Sequence, residues 1–207
     1  MKDLRTACDP TWAETGKRRF RPDTIFLNAV TALERMGTAW PLLGRAYFRL
    51  FYQKMLENEL SLSGIKPGMN AVHVGCGPLP LTAVFLAGHG VRVTAFDLSH
   101  DILKLASGFI SYSGLDNMIH LVKGCGTDVD FSGYDAVWLS LHVRPLDRII
   151  HRALMLMNPE ARIIFRLPRG KISMFYRDID QTWLSRGVKR GEIKQPLGKI
   201  SLMLKNT

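Results

Sequence analysis

The 207-residue sequence is short of the features that mark membrane, disulfide-stapled and metal-binding proteins. No segment has the length or apolarity of a signal peptide or a membrane span, so no membrane partner is expected. The only cysteines are Cys8, Cys76 and Cys125. Their number is odd and their spacing unlike that of metal ligands, so the expectation is reduced thiols, a cytoplasmic location and no protein-bound metal. There is no internal repeat and no low-complexity tract. The formal charge is +10, yet the basic residues are scattered, with Lys17-Arg18-Arg19-Phe20-Arg21 the one cluster. A solvated basic face is the default reading, and nucleic acid is disfavoured as a partner. Oligomeric state is left open, a homodimer included.

What the sequence does contain is half of a nucleotide-binding unit, Ala71 to Asp97. Ala71 to Val74 is a short apolar run that reads as a buried strand, and Gly75-Cys76-Gly77 follows at once as a tight turn. A helix is expected from Pro80, with Leu81, Val84, Phe85 and Ala87 inward, until Gly88 and Gly90 stop it. The next strand, Val91 to Phe96, delivers Asp97 to its end. An acid about 20 residues past the glycine turn is placed to accept hydrogen bonds from ribose hydroxyls. The third glycine of a dinucleotide fingerprint is missing, because Leu79 and Pro80 stand there. That disfavours NAD and FAD and suits a nucleoside without a pyrophosphate, such as S-adenosylmethionine.

The loop GCGPLPLTA resembles the glycine loop of nicotianamine synthases and the related opine-metallophore synthases. The resemblance implies the class I methyltransferase fold: an α/β, doubly wound, mostly parallel seven-stranded sheet, here with a small N-terminal helical cap. It implies that Gly75, Cys76, Gly77, Pro78, Leu79, Asp97 and Leu98 hold S-adenosylmethionine. Cys125, Gly126, Thr127 and Asp128 then fall at the adenine, and Ser140 is a further candidate cofactor contact. His73 occupies the position where most methyltransferases carry an acid, facing the methionine end of the cofactor.

Residues 1–63 read as an arm and cap, and 64–207 as the ligand-binding domain. In the arm and cap, Met1 to Pro22 is an aperiodic arm, and Asp23 or Thr24 caps a helix running to about Met36. A second helix is expected over about Leu42 to Leu62, where Phe48, Tyr52, Met55 and Glu59 share one stripe. By pattern alone Tyr52 is a core tyrosine and Glu59 a solvated acid. Nicotianamine synthases have a similar tyrosine-rich segment with an acid at this separation, which implies a catalytic role for both.

Beyond Asp97, Ser99 caps a helix from His100 to Ser111, and Asn117 to Lys123 reads as the third strand. Asp135 to Val143 reads as the fourth, continuous and apolar, with His142 and Arg144 at its end. This end lacks the Asn/Asp-Pro-Pro-aromatic tetrapeptide of amino-directed nucleic-acid methyltransferases, and no Pro-Cys nucleophile appears. His142 is a candidate proton acceptor, although a histidine beside a strand is more often structural. Leu146 to Met157 is a helix with Ile149, Ile150, Leu154 and Met157 inward, and Ala161 to Leu167 is the fifth strand. The segment RLPRGKISMFY resembles the Arg-x-x-x-Gly-x-x-x-x-x-Tyr stretch of nicotianamine synthases through Arg166, Gly170 and Tyr176. It departs from that stretch at Arg169 and Ile172. Arg144, Arg166, Arg169 and Tyr176 are accordingly candidate substrate ligands, the arginines for carboxylates. Asp178 to Arg186 reads as a helix and Gly198 to Lys205 as a final antiparallel strand.

The leading expectation is transfer of the aminocarboxypropyl group of S-adenosylmethionine to an amine or amino acid, releasing methylthioadenosine. Two rivals stand beside it: a small-molecule or RNA methyltransferase, and a non-catalytic S-adenosylmethionine binder.

Overall fold

A computed structural model describes residues 48–169, 188–196 and 198–206. The arm, the first cap helix, Gly170, Ile172, Tyr176 and the expected helix from Asp178 lie outside the described residues. A π-helical turn, Phe48–Tyr52, runs into helix α1, Gln53–Ser63. Gly64 closes α1 in the left-handed conformation, φ 61°, with its N–H on the carbonyl of Leu60. The chain then alternates strand and helix: β1 Asn70–Val74, α2 Leu81–Gly88, β2 Arg92–Asp97, α3 His100–Tyr112, β3 Ile119–Lys123, β4 Ala136–Leu139, α4 Leu146–Leu156 and β5 Arg162–Pro168. Two strands close the described chain, β6 Val188–Gln195 and β7 Lys199–Asn206.

The seven strands form one sheet in the order β3-β2-β1-β4-β5-β7-β6. Strands β1 to β5 are mutually parallel, and β7 runs antiparallel to both β5 and β6. The order reverses between β1 and β4, and ligands of open α/β sheets bind outside the strand ends at such a point. Because strand side chains alternate, Val72, Val74, Val137, Leu139, Ile163 and Phe165 pack on one face against Leu146, Ile149, Ile150 and Ala153 of α4. Ala71, Ala95, Trp138 and Ile164 point to the other face, against Ala83, Leu86 and Ala87 of α2 and Leu103 and Ile110 of α3. Helix α1 lies on this second face, above β5, β6 and β7.

Several expected elements shift. Strand β4 stops at Leu139, four residues short of Val143. Leu141 and Val143 are buried in the loop beyond it, so an apolar run that reads as strand is partly a packed loop. Helix α2 buries Leu81, Thr82, Ala83, Leu86 and Ala87, with Val84 and Phe85 only half-buried. In α4 the inward position expected of Leu154 belongs to Ala153. Strand β6 has no counterpart in the sequence reading: VKRGEIKQ is charged, contains a glycine and forms the sheet edge, where strands are commonly charged. The expected cap at Ser99 forms, its Oγ accepting from the N–H of Ile102 at 3.4 Å.

Candidate active site

At the end of β1 the chain turns through Gly75 and Gly77 in the left-handed region, φ 76° and 69°. A side chain at Gly75 would also collide with Val143, whose Cγ2 stands 2.6 Å from where a Cβ would sit. The N–H groups of Gly75 and Cys76 both donate to the carbonyl of Phe96, at 2.9 and 3.0 Å. The N–H of Gly77 donates to Asp97 Oδ2 at 3.0 Å, and that of Ser99 to Asp97 Oδ1 at 3.2 Å. The Asp97 carboxylate is thus fixed between the glycine loop and the turn into α3. A carboxylate has about four acceptor positions, so both oxygens keep capacity for ribose hydroxyls.

The other residues assigned to the donor divide by environment. Cys76 is a buried, reduced thiol packed among apolar side chains. Pro78 is buried, and Leu79 packs with Leu81 and Phe109 against Phe48 and Tyr52 of the cap. The end of the glycine loop and the cap therefore share one apolar cluster. Leu98 is exposed beside Asp97, and Asp128 is exposed. Cys125 is buried and disulfide-bonded, a correction to the expectation of reduced thiols throughout. Thr127 Oγ1 lies 2.9 Å from Cys125 Sγ and donates to Asp128 Oδ1 at 3.3 Å. A Cβ at Gly126 would stand 2.7 Å from Val74 Cγ1 and 2.8 Å from Ile149 Cδ1, so packing alone calls for glycine there. Ser140, just past β4, lies with its Oγ 2.9 Å from His73 Nε2.

Beneath the strand ends is a polar island that the sequence did not reveal. Glu59, fully buried on α1, receives Arg166 Nε and Nη2 at 2.7 Å each, Ser201 Oγ at 2.6 Å and Trp138 Nε1 at 3.2 Å. Arg166 Nη2 also donates to Thr82 Oγ1 at 3.1 Å. Gln195 extends the network, donating to Ser201 Oγ and to the carbonyl of Met55 while accepting from Asn58. One carboxylate thereby joins α1 to β4, β5 and β7. The solvated-acid reading of Glu59 is overturned by its burial. Glu59 and Arg166, read as separate site residues, are one bidentate pair. Burial opposes the charge on Arg166, but Glu59, with Tyr52 contributing, outweighs it and raises its pKa.

His73 is buried in the same layer, its Nδ1 without a hydrogen-bond partner among the described residues. Burial, and after it the nearby Arg166, lower its pKa to about 3, so the ring is neutral.

The third group lies at the rim. Tyr52 is half-buried, with Lys199 Nζ 5.1 Å from its ring centroid. His142 is exposed, and its pKa is lowered to about 4 by the surrounding chain and by Lys199 and Arg144. Arg144 Nη1 donates to the carbonyls of Val143 and Leu141 at 2.7 and 3.2 Å. Arg169 is exposed, with its backbone N–H on the carbonyl of Gly198. Sequence reasoning missed Thr82, Trp138, Ser201 and Lys199. Only Trp138 carried a signal, since a buried indole N–H needs an acceptor. An apolar cavity of about 360 Å³ between α2 and α3 is lined by Phe48, Phe85, Phe109 and Tyr112 among others, but not by the glycine loop or Asp97. No group of three or more metal-ligating side chains occurs among the described residues. Nor is any described helix long and apolar enough to cross a membrane.

No family model matches the chain, and no curated protein matches it by sequence. Its fold does have solved relatives. MtNAS with S-adenosylmethionine, carrying a Glu→Gln substitution, is 24% identical with a TM-score of 0.79, over 89% of this chain and 76% of that one. MtNAS with MTA and tNA is 24% identical with a TM-score of 0.77, over 89% and 74%. An S-adenosylmethionine-dependent methyltransferase from Aquifex aeolicus is 15% identical with a TM-score of 0.63, over 78% and 93%. The chain has the class I methyltransferase fold, in a form similar to MtNAS.

Proposed function

We propose that this protein is an S-adenosylmethionine-dependent transferase that moves the aminocarboxypropyl group to an amine and releases methylthioadenosine. The observation that carries the reading is the Gly75–Gly77 loop at the switch point, tied to Asp97 at 3.0 Å and followed by Leu79, which shares an apolar cluster with the cap tyrosine, Tyr52. The loop and Asp97 hold the adenosine half of the donor. Through that shared cluster, Tyr52 is the cap residue set to overlook the methionine arm. The likeness to MtNAS, solved with S-adenosylmethionine and with MTA, supports the same assignment.

The chemistry needs one proton acceptor and an oriented sulfonium. The acceptor's ammonium gives a proton to a basic group, for which Tyr52 and His142 are the candidates at the rim. The freed nitrogen pair attacks the arm's γ-carbon, the carbon–sulfur bond breaks, and its electrons neutralise the sulfonium to a thioether. Orientation selects this carbon over the methyl group, and a hundredfold preference requires only about 2.7 kcal/mol. Glu59, which has no exposed surface, acts by fixing Arg166 within electrostatic reach of Tyr52.

Calorimetry tests the donor assignment. S-adenosylmethionine should bind the wild type, and Asp97→Ala should weaken it by about 1 to 3 kcal/mol while the protein stays folded. Unchanged affinity in a folded variant removes Asp97 from the site.

A further inference from the structure

His73 shares the α2 face of β1 with Ala71, and its two ring nitrogens are unequally served. Nε2 lies 2.9 Å from Ser140 Oγ, whereas Nδ1 has no hydrogen-bond partner among the described residues. The ring is buried and, with Arg166 near it, neutral, so it carries a single N–H. A proton on Nδ1 would be a buried donor with nothing to receive it, and such orphans are rarer in folded proteins than under-used acceptors. A proton on Nε2 is met by Ser140 Oγ, and only a bare lone pair is left over. Ser140 is then the acceptor of that bond, and its own O–H remains to donate. Among the described residues no second group receives it.

Ser140 also stands on the far side of the glycine loop from Asp97. Its N–H donates to the carbonyl of Val74 at 3.2 Å, and its Cβ is 3.5 Å from where a Cβ on Gly75 would sit. In the sheet, β2 with Asp97 lies on one side of β1, and β4, which leads into Ser140, lies on the other. Adenine and sulfonium leave a ribose from opposite sides of its ring, through C1′ and C4′. With Asp97 on the hydroxyls and the adenine towards β3, the methionine arm runs across Gly75 towards Ser140.

We propose that the Ser140 hydroxyl donates to the carboxylate of the donor's aminocarboxypropyl arm, and that His73, which the donor does not touch, is the positioning residue that sets this polarity. The inference rests on the donor reading above and adds which end group of the arm is recognised. The arm ends in an ammonium and a carboxylate. The O–H left over at Ser140 needs an acceptor, and of the two only the carboxylate supplies one. His73 itself is 2% exposed, which leaves it no surface for the donor, so it acts through Ser140.

Two measurements test the proposal. A long-range proton–nitrogen correlation spectrum of the wild type, with the ring assigned from its loss in His73→Phe, should show the His73 proton on Nε2. A proton on Nδ1 overturns the proposal, and no donor is needed to see it. Calorimetry then compares S-adenosylmethionine with its decarboxylated analogue, which keeps the sulfonium and the ammonium. Ser140→Ala should weaken S-adenosylmethionine about tenfold, the loss of one hydrogen bond to a charged group, and leave the analogue unchanged. His73→Phe frees the hydroxyl to turn and should weaken S-adenosylmethionine several-fold, again without affecting the analogue. His73→Gln, whose amide nitrogen can donate as Nε2 does, should restore the affinity. A loss shared by both ligands, no loss in Ser140→Ala, or a His73→Gln as weak as His73→Phe overturns the proposal while leaving the donor reading in place. A wild type that binds neither ligand defeats the donor reading itself, and this proposal with it.

Discussion

The two faces of the sheet are built on opposite terms. On the α4 face the clustered side chains are apolar throughout, from Val72 and Val74 through Leu139 and Phe165 to Leu202 and Leu204. On the α1 and α2 face, the same strands bury His73, Arg166 and Ser201, with Glu59, Ser63 and Thr82 from the helices above. Burying an ion pair seldom adds stability over an apolar core of the same volume. The apolar face therefore supplies cohesion, while the polar face fixes where the cap stands above the strand ends. That is the geometry a donor–acceptor site between cap and sheet requires.

The comparison can be broken most severely at Glu59. Glu59→Ala leaves Arg166 buried without its carboxylate and should cost about 3 to 5 kcal/mol in urea unfolding. Replacing both partners with apolar residues, Glu59→Leu with Arg166→Met, should recover most of that loss while misplacing Tyr52 and lowering turnover. A single-variant cost below about 1 kcal/mol, the range of exposed pairs, would mean that the pair is not buried as described.

On the apolar face the expected injury is smaller and of another kind. Gly126→Ala drives a methyl group into Val74 and Ile149 and should cost about 1 to 3 kcal/mol through overpacking. Because the strain lies within the core, donor affinity of the folded variant should hold. A large loss of affinity with stability intact would return Gly126 to the ligand site.

The third probe is pH. His73 has a folded pKa of about 3, below the 6.5 of the unfolded chain, so its contribution is fully present above pH 6.5 and is lost as pH falls towards 3. Within that window stability should decline by about 1.4 kcal/mol per pH unit from this residue alone. His73→Phe should flatten the slope in denaturation curves collected across the window. An unaltered slope would mean that His73 titrates normally and is not desolvated.

How much of this was legible follows from the range of each signal. The glycine turn, Asp97 and the Ser99 cap are local patterns within about 25 residues, and all appear where the sequence places them. The Glu59–Arg166 pair spans 107 positions, and only the stacking of α1 on β5 brings it together. Lys199 lies in the expected final strand, and only the antiparallel register with β5 sets it opposite Pro168, where β5 ends. The run through Val143 misled for a related reason, since hydrophobicity records the burial of Leu141 and Val143 but not their loop conformation.

The central claim concerns which bond of the donor breaks, and the identity of the nucleoside product tests it most directly. The protein, incubated with S-adenosylmethionine and a panel of amino acids, should form methylthioadenosine by mass, dependent on both enzyme and acceptor. Enzyme-dependent S-adenosylhomocysteine with no methylthioadenosine would contradict the account and make the protein a methyltransferase.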